Sequence, residues 1–240
     1  MEMYQAKMAK EIDLRGLSLG TRKKYLSDFS RFLDYFQKDP KLVSLEEIKD
    51  FIIFYKSQNA IGKKTKRAAN TVNGMTSVIS FYYHHVLDKN YYSLIPKMKK
   101  PKTLPTILSR DEIQLMISEL KNVFWKAIIM TLYSTGMRQA ELRNLKAHDI
   151  DSKRMVINIR KGKGNKDREV VLTQNLLDAL RLYWSKHRAL LKVDSDFLFI
   201  PTKNSHNGNL KKSLSSTAVG YIVKKSAQIA GIKKKLHLIA

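Results

Sequence analysis

In the stretch LYSTGMRQAELRNL, Leu132–Leu145, Gly136 is followed by Arg138 and, three residues later, by Glu141. Apolar residues surround the group, and a plain core helix has no use for an arginine there. A helix that stops at Gly136 and restarts beyond it sets Arg138 at the first turn of the new helix. A guanidinium held at such a point, beside free N–H groups, suits a bidentate grip on a phosphate. Glu141 falls on the same helix face, where it is placed to orient Arg138. The same spacing also describes an ordinary i,i+3 surface pair, worth roughly a few tenths of a kcal/mol. Spacing alone does not separate the two readings.

The turn RKGKGNKDR, residues 160–168, is the second candidate. Gly162 and Gly164 admit positive φ and a tight bend, which lets Lys163 protrude from a hairpin tip. A lysine so presented reaches a groove and hands a proton to a leaving oxygen. Lys161, Lys166 and Arg168 are candidate DNA contacts around it. Taken alone, the stretch reads first as a charged tip that keeps a sheet edge soluble. A third basic run, Lys63, Lys64, Lys66 and Arg67, precedes a helix start. It is either a solvated loop or a helix N-terminus aimed at DNA phosphates. The six histidines show no HExxH spacing, there is no Cys, and GKGNK is not a GxxxxGK[ST] loop. No metal and no cofactor is therefore expected.

The elements that must position these residues follow from periodicity. SLGTRKKYLSDFSRFLDYFQ has a cap candidate in Ser18 or Thr21. Its apolar residues Tyr25, Phe29, Phe32, Leu33 and Phe36 recur at helical spacing, with Arg22, Lys23, Lys24 and Arg31 opposite. Ser44 with Glu47, and Ser109 with Glu112, are capping-box patterns. AANTVNGMTSVISFYYHHVL is a strong helix; VFWKAIIMTLYSTG is a nearly all-apolar one, expected at the buried centre of its lobe. RMVINIR alternates with period two and, with Val170, Val171 and Leu172, predicts a β-hairpin. NLLDALRLYWSKHRALL is helical, DFLFIP a short strand, and SSTAVGYIVKKSAQIAG a last helix ending at Gly231. Tyr183 and Tyr221 read as core aromatics, and His84–His85 as structural or phosphate-facing. The lysine-rich segment around Pro96, Pro101 and Pro105 cannot continue a helix and reads as an extended linker.

The chain has 240 residues, with 45 Lys and Arg against 21 Asp and Glu, a net charge of +24. Such a balance favours a polyanion, because each phosphate neutralised releases condensed counterions. The basic residues lie in patterned segments rather than in a tail, which favours nucleic acid over a ribosomal-type role or a membrane surface. Residues 1–105 carry 20 basic and 10 acidic side chains and the remainder 25 and 11, so both parts are expected to touch the polyanion. No apolar run approaches the ~18–20 residues of a membrane span. The N-terminal residues have no apolar signal core, so a cytoplasmic protein is expected.

Taken together, STGMRQAELRNLKAHDID followed by INIRKGKGNKDREVVL resembles the tyrosine recombinase family, the phage and integron integrases. RAANTVNGMTSVISFYYHHVL and PKMKKPKTLPTILSRDEI are similar to that family's core-binding domain and its junction. The resemblance implies a mainly α fold with a small antiparallel β-hairpin. Residues 1–105 would be an all-helical, SAM-like core-binding domain, and 106–240 an α+β catalytic-type domain without its C-terminal helices. It further implies site-specific recombination and integration of double-stranded DNA, as on mobile genetic elements, by homo-oligomers and without metal or external energy. A tyrosine attacks the phosphodiester, arginines stabilise the transition-state charge, and a hairpin lysine protonates the departing 5′-oxygen. Arg138 matches the first family arginine, Lys163 the lysine, and Glu141 the acidic position beside the arginine.

The family pattern continues with H-x-x-R, a further His or Trp, and the nucleophile. None of these is in place after AGIKKKLHLIA, where His237 is followed by Leu238, Ile239 and Ala240. The expectation is a chain truncated or frameshifted before that box, one that binds DNA, assembles weakly and does not cleave. The alternatives are a non-catalytic protein occupying recombination sites and a general basic nucleic-acid binder.

Overall fold

The computed structural model describes residues 2–60, 65–91, 93–99, 106–160, 166–201 and 212–234. The chain divides into two compact units, Met1–Thr103 and Leu104–Ala240. The described residues are mainly α-helical with a small antiparallel sheet.

The described helices of the first unit are α1 (Glu2–Leu14), α2 (Leu19–Phe36), α3 (Leu45–Ser57) and α4 (Ala69–His85). Helix α1 had no strong signal in the sequence. It is anchored by only two buried residues, Met8 and Ile12. Of the two cap candidates for α2, Ser18 is the N-cap; its hydroxyl accepts from the Thr21 N–H at 3.1 Å. Helix α3 starts in a full capping box. Ser44 Oγ accepts from the Glu47 N–H at 3.3 Å, and Glu47 Oε2 accepts from the Ser44 N–H at 2.9 Å. The apolar faces meet in an aromatic core in which Phe29 packs on Tyr82 at 4.2 Å and Phe32 on Phe51 at 5.3 Å. The start of the expected linker is not free chain. Ile95 is buried, and the Asn73 amide holds Met98, donating to its carbonyl at 3.0 Å and accepting from its N–H at 2.8 Å. Pro101 and Pro105 lie outside the described residues.

The second unit contains α5 (Arg110–Ser118), α6 (Val123–Thr135), α7 (Gln139–Asn144), α8 (Gln174–Tyr183) and α9 (Ser216–Ile229). Its strands are β1 (Ile150–Asp151), β2 (Val156–Ile159) and β3 (Arg168–Val171), in sheet order β1-β2-β3 and all antiparallel. Helix α6 is the buried centre, with Ala127, Ile128 and Ile129 in a core shared with Leu142, Ile157, Leu176, Phe199 and Val219. Residues Ser109 and Glu112 form the capping box of α5, at 3.2 and 2.7 Å.

Three local expectations are corrected. The segment DFLFIP is not a strand but an isolated bridge, Lys146↔Phe197. Only a short run of backbone bonds forms there, and Leu198, Phe199 and Ile200 are all buried rather than alternating. Met155 is not part of β2; it occupies a turn at φ 54°. The hairpin gains a third strand, β1, whose two residues are too few to show a period. Beyond Tyr183 the α-helix loosens into a π turn, Trp184–Arg188, around a buried arginine whose guanidinium donates to the carbonyls of Val193, Ser195 and Phe197.

Candidate functional site

Helix α6 ends because Gly136 adopts φ 59°, the left-handed conformation that caps a helix without a Cβ penalty. The chain turns through Met137, and Arg138 becomes the N-cap of α7. A guanidinium has no acceptor, so Arg138 makes no forward cap. Instead the Glu141 carboxylate reaches back, and Oε2 accepts from the Arg138 N–H at 2.8 Å. Helix α7 has six residues, so the site's positive charge comes from side chains rather than from a helix dipole.

Glu141 is the hub. It is buried, and its oxygens receive a second arginine from the sheet. Arg168 donates Nη1 to Oε1 at 3.0 Å and Nη2 to Oε2 at 2.7 Å, while Arg138 Nη1 donates to Oε1 at 3.2 Å. The Arg168 bonds, then those from Arg138, outweigh desolvation and hold the Glu141 pKa down to about 2. Two guanidinium ions around one ionised carboxylate leave one net positive charge. The Arg138 and Arg168 side chains are each about a third exposed.

The register explains why Arg168 arrives there. Ile159 pairs with Arg168 and Ile157 with Val170, so Arg168 extends the face of the sheet that packs on the core. Its neighbour Glu169 is on the other face, paired with Arg154 at 2.9 and 3.0 Å. A second buried carboxylate, Asp149, accepts from Arg160 Nε at 2.8 Å and from the Lys146 N–H at 2.9 Å. Arg160 and Arg168, which bracket the segment 161–167, are therefore each bonded to a buried acid, Asp149 and Glu141 respectively. Of its lysines, Lys166 is exposed, and Lys161 and Lys163 lie outside the described residues, as do Gly162 and Gly164.

In the first unit, Lys63 and Lys64 also lie outside the described residues. Lys66 is exposed and bridges Asn59. Arg67 is turned onto its own unit; its guanidinium lies 4.0 Å from the Tyr55 ring centroid, and Nη1 donates to the Tyr55 carbonyl at 2.8 Å. Asp28, buried on the basic face of α2, pairs with Lys24 and with Arg31 at 2.7 Å, a constellation the sequence reading missed. Its signal was the i,i+3 and i,i+4 spacing. Arg168 also had a readable signal, because its period with Val170 puts a charge on a core face.

Tyr183 is core, with its hydroxyl donating to the Leu198 carbonyl at 3.0 Å and its pKa raised by burial. Tyr221 is not core. It is 54% exposed and meets Trp125 edge-on at 6.0 Å, because the outer side of α9 has no described element over it. His85 Nδ1 accepts from the Arg15 guanidinium at 3.0 Å, and the ring packs on Phe81. Among the described residues no group of three or more His, Cys, Asp or Glu could hold a metal ion, and no helix is long and apolar enough to cross a membrane.

Residues 106–238 match the model of the phage integrase family, and residues 5–93 match the phage integrase N-terminal SAM-like domain. A putative integrase/recombinase, y4qK of Sinorhizobium fredii, is 30% identical over 236 residues, 98% of this chain and 71% of that protein. The tyrosine recombinase XerA of Pyrococcus horikoshii is 29% identical over 226 residues, 94% of this chain and 73% of that protein. A lambda integrase (residues 75–356) dimer bound to a COC′ core site has a similar fold. Its TM-score is 0.70 at 15% identity, over 98% of this chain and 80% of that one.

Proposed function

Because this chain belongs to the phage integrase family, the tyrosine recombinases, we propose that it binds double-stranded DNA at a recombination site and that Arg138 grips a backbone phosphate there. The observation that carries this reading is the Arg138–Glu141–Arg168 cluster. A buried carboxylate with a pKa near 2 fixes a partly exposed arginine in place, and the site keeps a net positive charge. Preorganised cations of this kind stabilise the charge that develops on a phosphodiester as it is attacked. Lys163 is the proton donor to the departing 5′-oxygen in this reading, and Lys161, Lys166, Lys63, Lys64 and Lys66 contact the phosphate backbone. Residues 1–105 act as the core-binding domain and residues 106–240 as the catalytic-type domain. Copies of the chain assemble on DNA in the cytoplasm.

The 240 residues contain no H-x-x-R sequence. A polypeptide of these residues is therefore proposed to bind DNA without forming a covalent link, as a protein that occupies recombination sites. A nicked suicide duplex tests both parts. Binding with no protein–DNA adduct supports the occupying role. A denaturation-resistant adduct shows cleavage and identifies its nucleophile by mass spectrometry. Failure to bind duplex DNA in low salt, where counterion release drives association, removes the reading altogether.

A further inference from the structure

Glu141 is shared unequally between its two arginines. Arg168 takes the planar, bidentate seat, one terminal nitrogen on each oxygen. Arg138 contributes one side-chain bond, the longest of the set, and its backbone N–H. Together these four donors fill the carboxylate's lone-pair directions. Nε and Nη2 of Arg138 donate to no described residue.

Resting on the reading of Arg138 as a phosphate ligand, we propose that Arg168 is a positioning residue: by occupying the bidentate seat on Glu141 it prevents Arg138 from closing onto that carboxylate and keeps the Arg138 guanidinium available to a phosphate. The physical reason is the strong preference of a guanidinium for a two-point fork on a carboxylate. With Arg168 absent, Arg138 is the remaining charged donor to Glu141 among the described residues, and an i,i+3 pair readily rotates into the vacated seat. The local charge then falls from plus one to zero, and the donors that would face the phosphate turn inward. Sheet register supports the assignment, since Arg168 shares its face with the core residues Ile157 and Ile159 rather than with exposed Glu169 and Val171.

The test is fluorescence anisotropy with a labelled duplex of random sequence, titrated over a range of salt, for the full chain and its variants R138Q, R168Q, R168K, E141Q and R168Q/E141Q. R138Q and R168Q are each expected to weaken binding roughly tenfold and to lower the slope of log K against log salt by about one. R168Q/E141Q has the same formal charge as the unaltered chain, so bulk electrostatics cancel in that comparison. It is expected to recover most of the affinity and the slope, because no carboxylate remains to sequester Arg138. R168K is expected to be as weak as R168Q, since one ammonium cannot fill a two-point seat. Full binding by R168K, or a double variant as weak as R168Q, means that Arg168 meets the phosphate itself and overturns the proposal. If R138Q binds like the unaltered chain, the phosphate-ligand reading fails first. If R138Q is weak and the double variant is not restored, only the role of Arg168 fails. Should the double variant not fold, the comparison of R168K with R168Q decides alone.

Discussion

Replacing Glu141 by Gln isolates one ionisation and lets its contribution to the second unit be worked out in advance. The carboxyl is buried, and its pKa falls from the ordinary 4.5 to about 2, chiefly through Arg168. The folded pKa is below the unfolded one, so the stabilisation is fully present above about pH 5 and drains away as pH falls through 4.5 towards 2. A gap of about 2.5 pKa units corresponds to roughly 3 kcal/mol at neutral pH. By about pH 3 the unfolded carboxyl is almost wholly protonated and the folded one only slightly, so about 2 kcal/mol of that is lost. Gln cannot titrate. The stability gap between the parent chain and E141Q should therefore shrink by about 2 kcal/mol between about pH 7 and pH 3. Other carboxylates held low, such as Glu112 with Lys234, are common to both proteins and cancel. Urea unfolding followed by tryptophan fluorescence reads the correct unit, since both tryptophans, Trp125 and Trp184, belong to it. A gap that stays constant across that pH range would refute the claim that Glu141 is an ionised hub.

Substitutions at three further positions probe the frame of the two units. Ile128→Ala empties a fully buried position at the centre of α6 and should cost about 3–4 kcal/mol in the same fluorescence assay; a cost below about 1 kcal/mol would mean that α6 is not the core. Gly136→Ala meets open space but must hold φ 59°, so strain alone should cost about 1–2 kcal/mol, with Gly136→Asn milder; equal stability of all three proteins would remove the left-handed cap. Ser44→Ala deletes the hydroxyl half of the α3 capping box and should lower the first unit's stability by about 1 kcal/mol, measured by circular dichroism while the tryptophan signal stays unchanged.

Much of this protein was legible without coordinates, for identifiable reasons. Helix faces follow from a 3.6-residue period, so α2 and α4 could be placed from Phe29, Phe32, Val72 and Met75, while α6 showed itself as a nearly all-apolar run. Caps follow from local chemistry, so Ser44–Glu47, Ser109–Glu112 and Gly136 marked their helix ends correctly. Elements fixed by what they pair with or pack against, rather than by a period of their own, were not legible in that way. Strand β1 is two residues long and exists only because Ile150 and Asp151 pair with β2. The segment around Leu198 looked like a strand because it is apolar, but it plugs the core instead. Tyr221 looked buried because its helix is amphipathic, yet its outward position depends on what lies over α9. The site shows the same division. An arginine beside a glutamate three residues on was visible in the chain, and local spacing left it equally an ordinary surface pair. What made Glu141 a hub is Arg168, 27 positions later, which arrives only through the register of β2 with β3. Types and periods are written locally along a chain, whereas a buried charge must be answered by whichever residue the folded sheet brings to it.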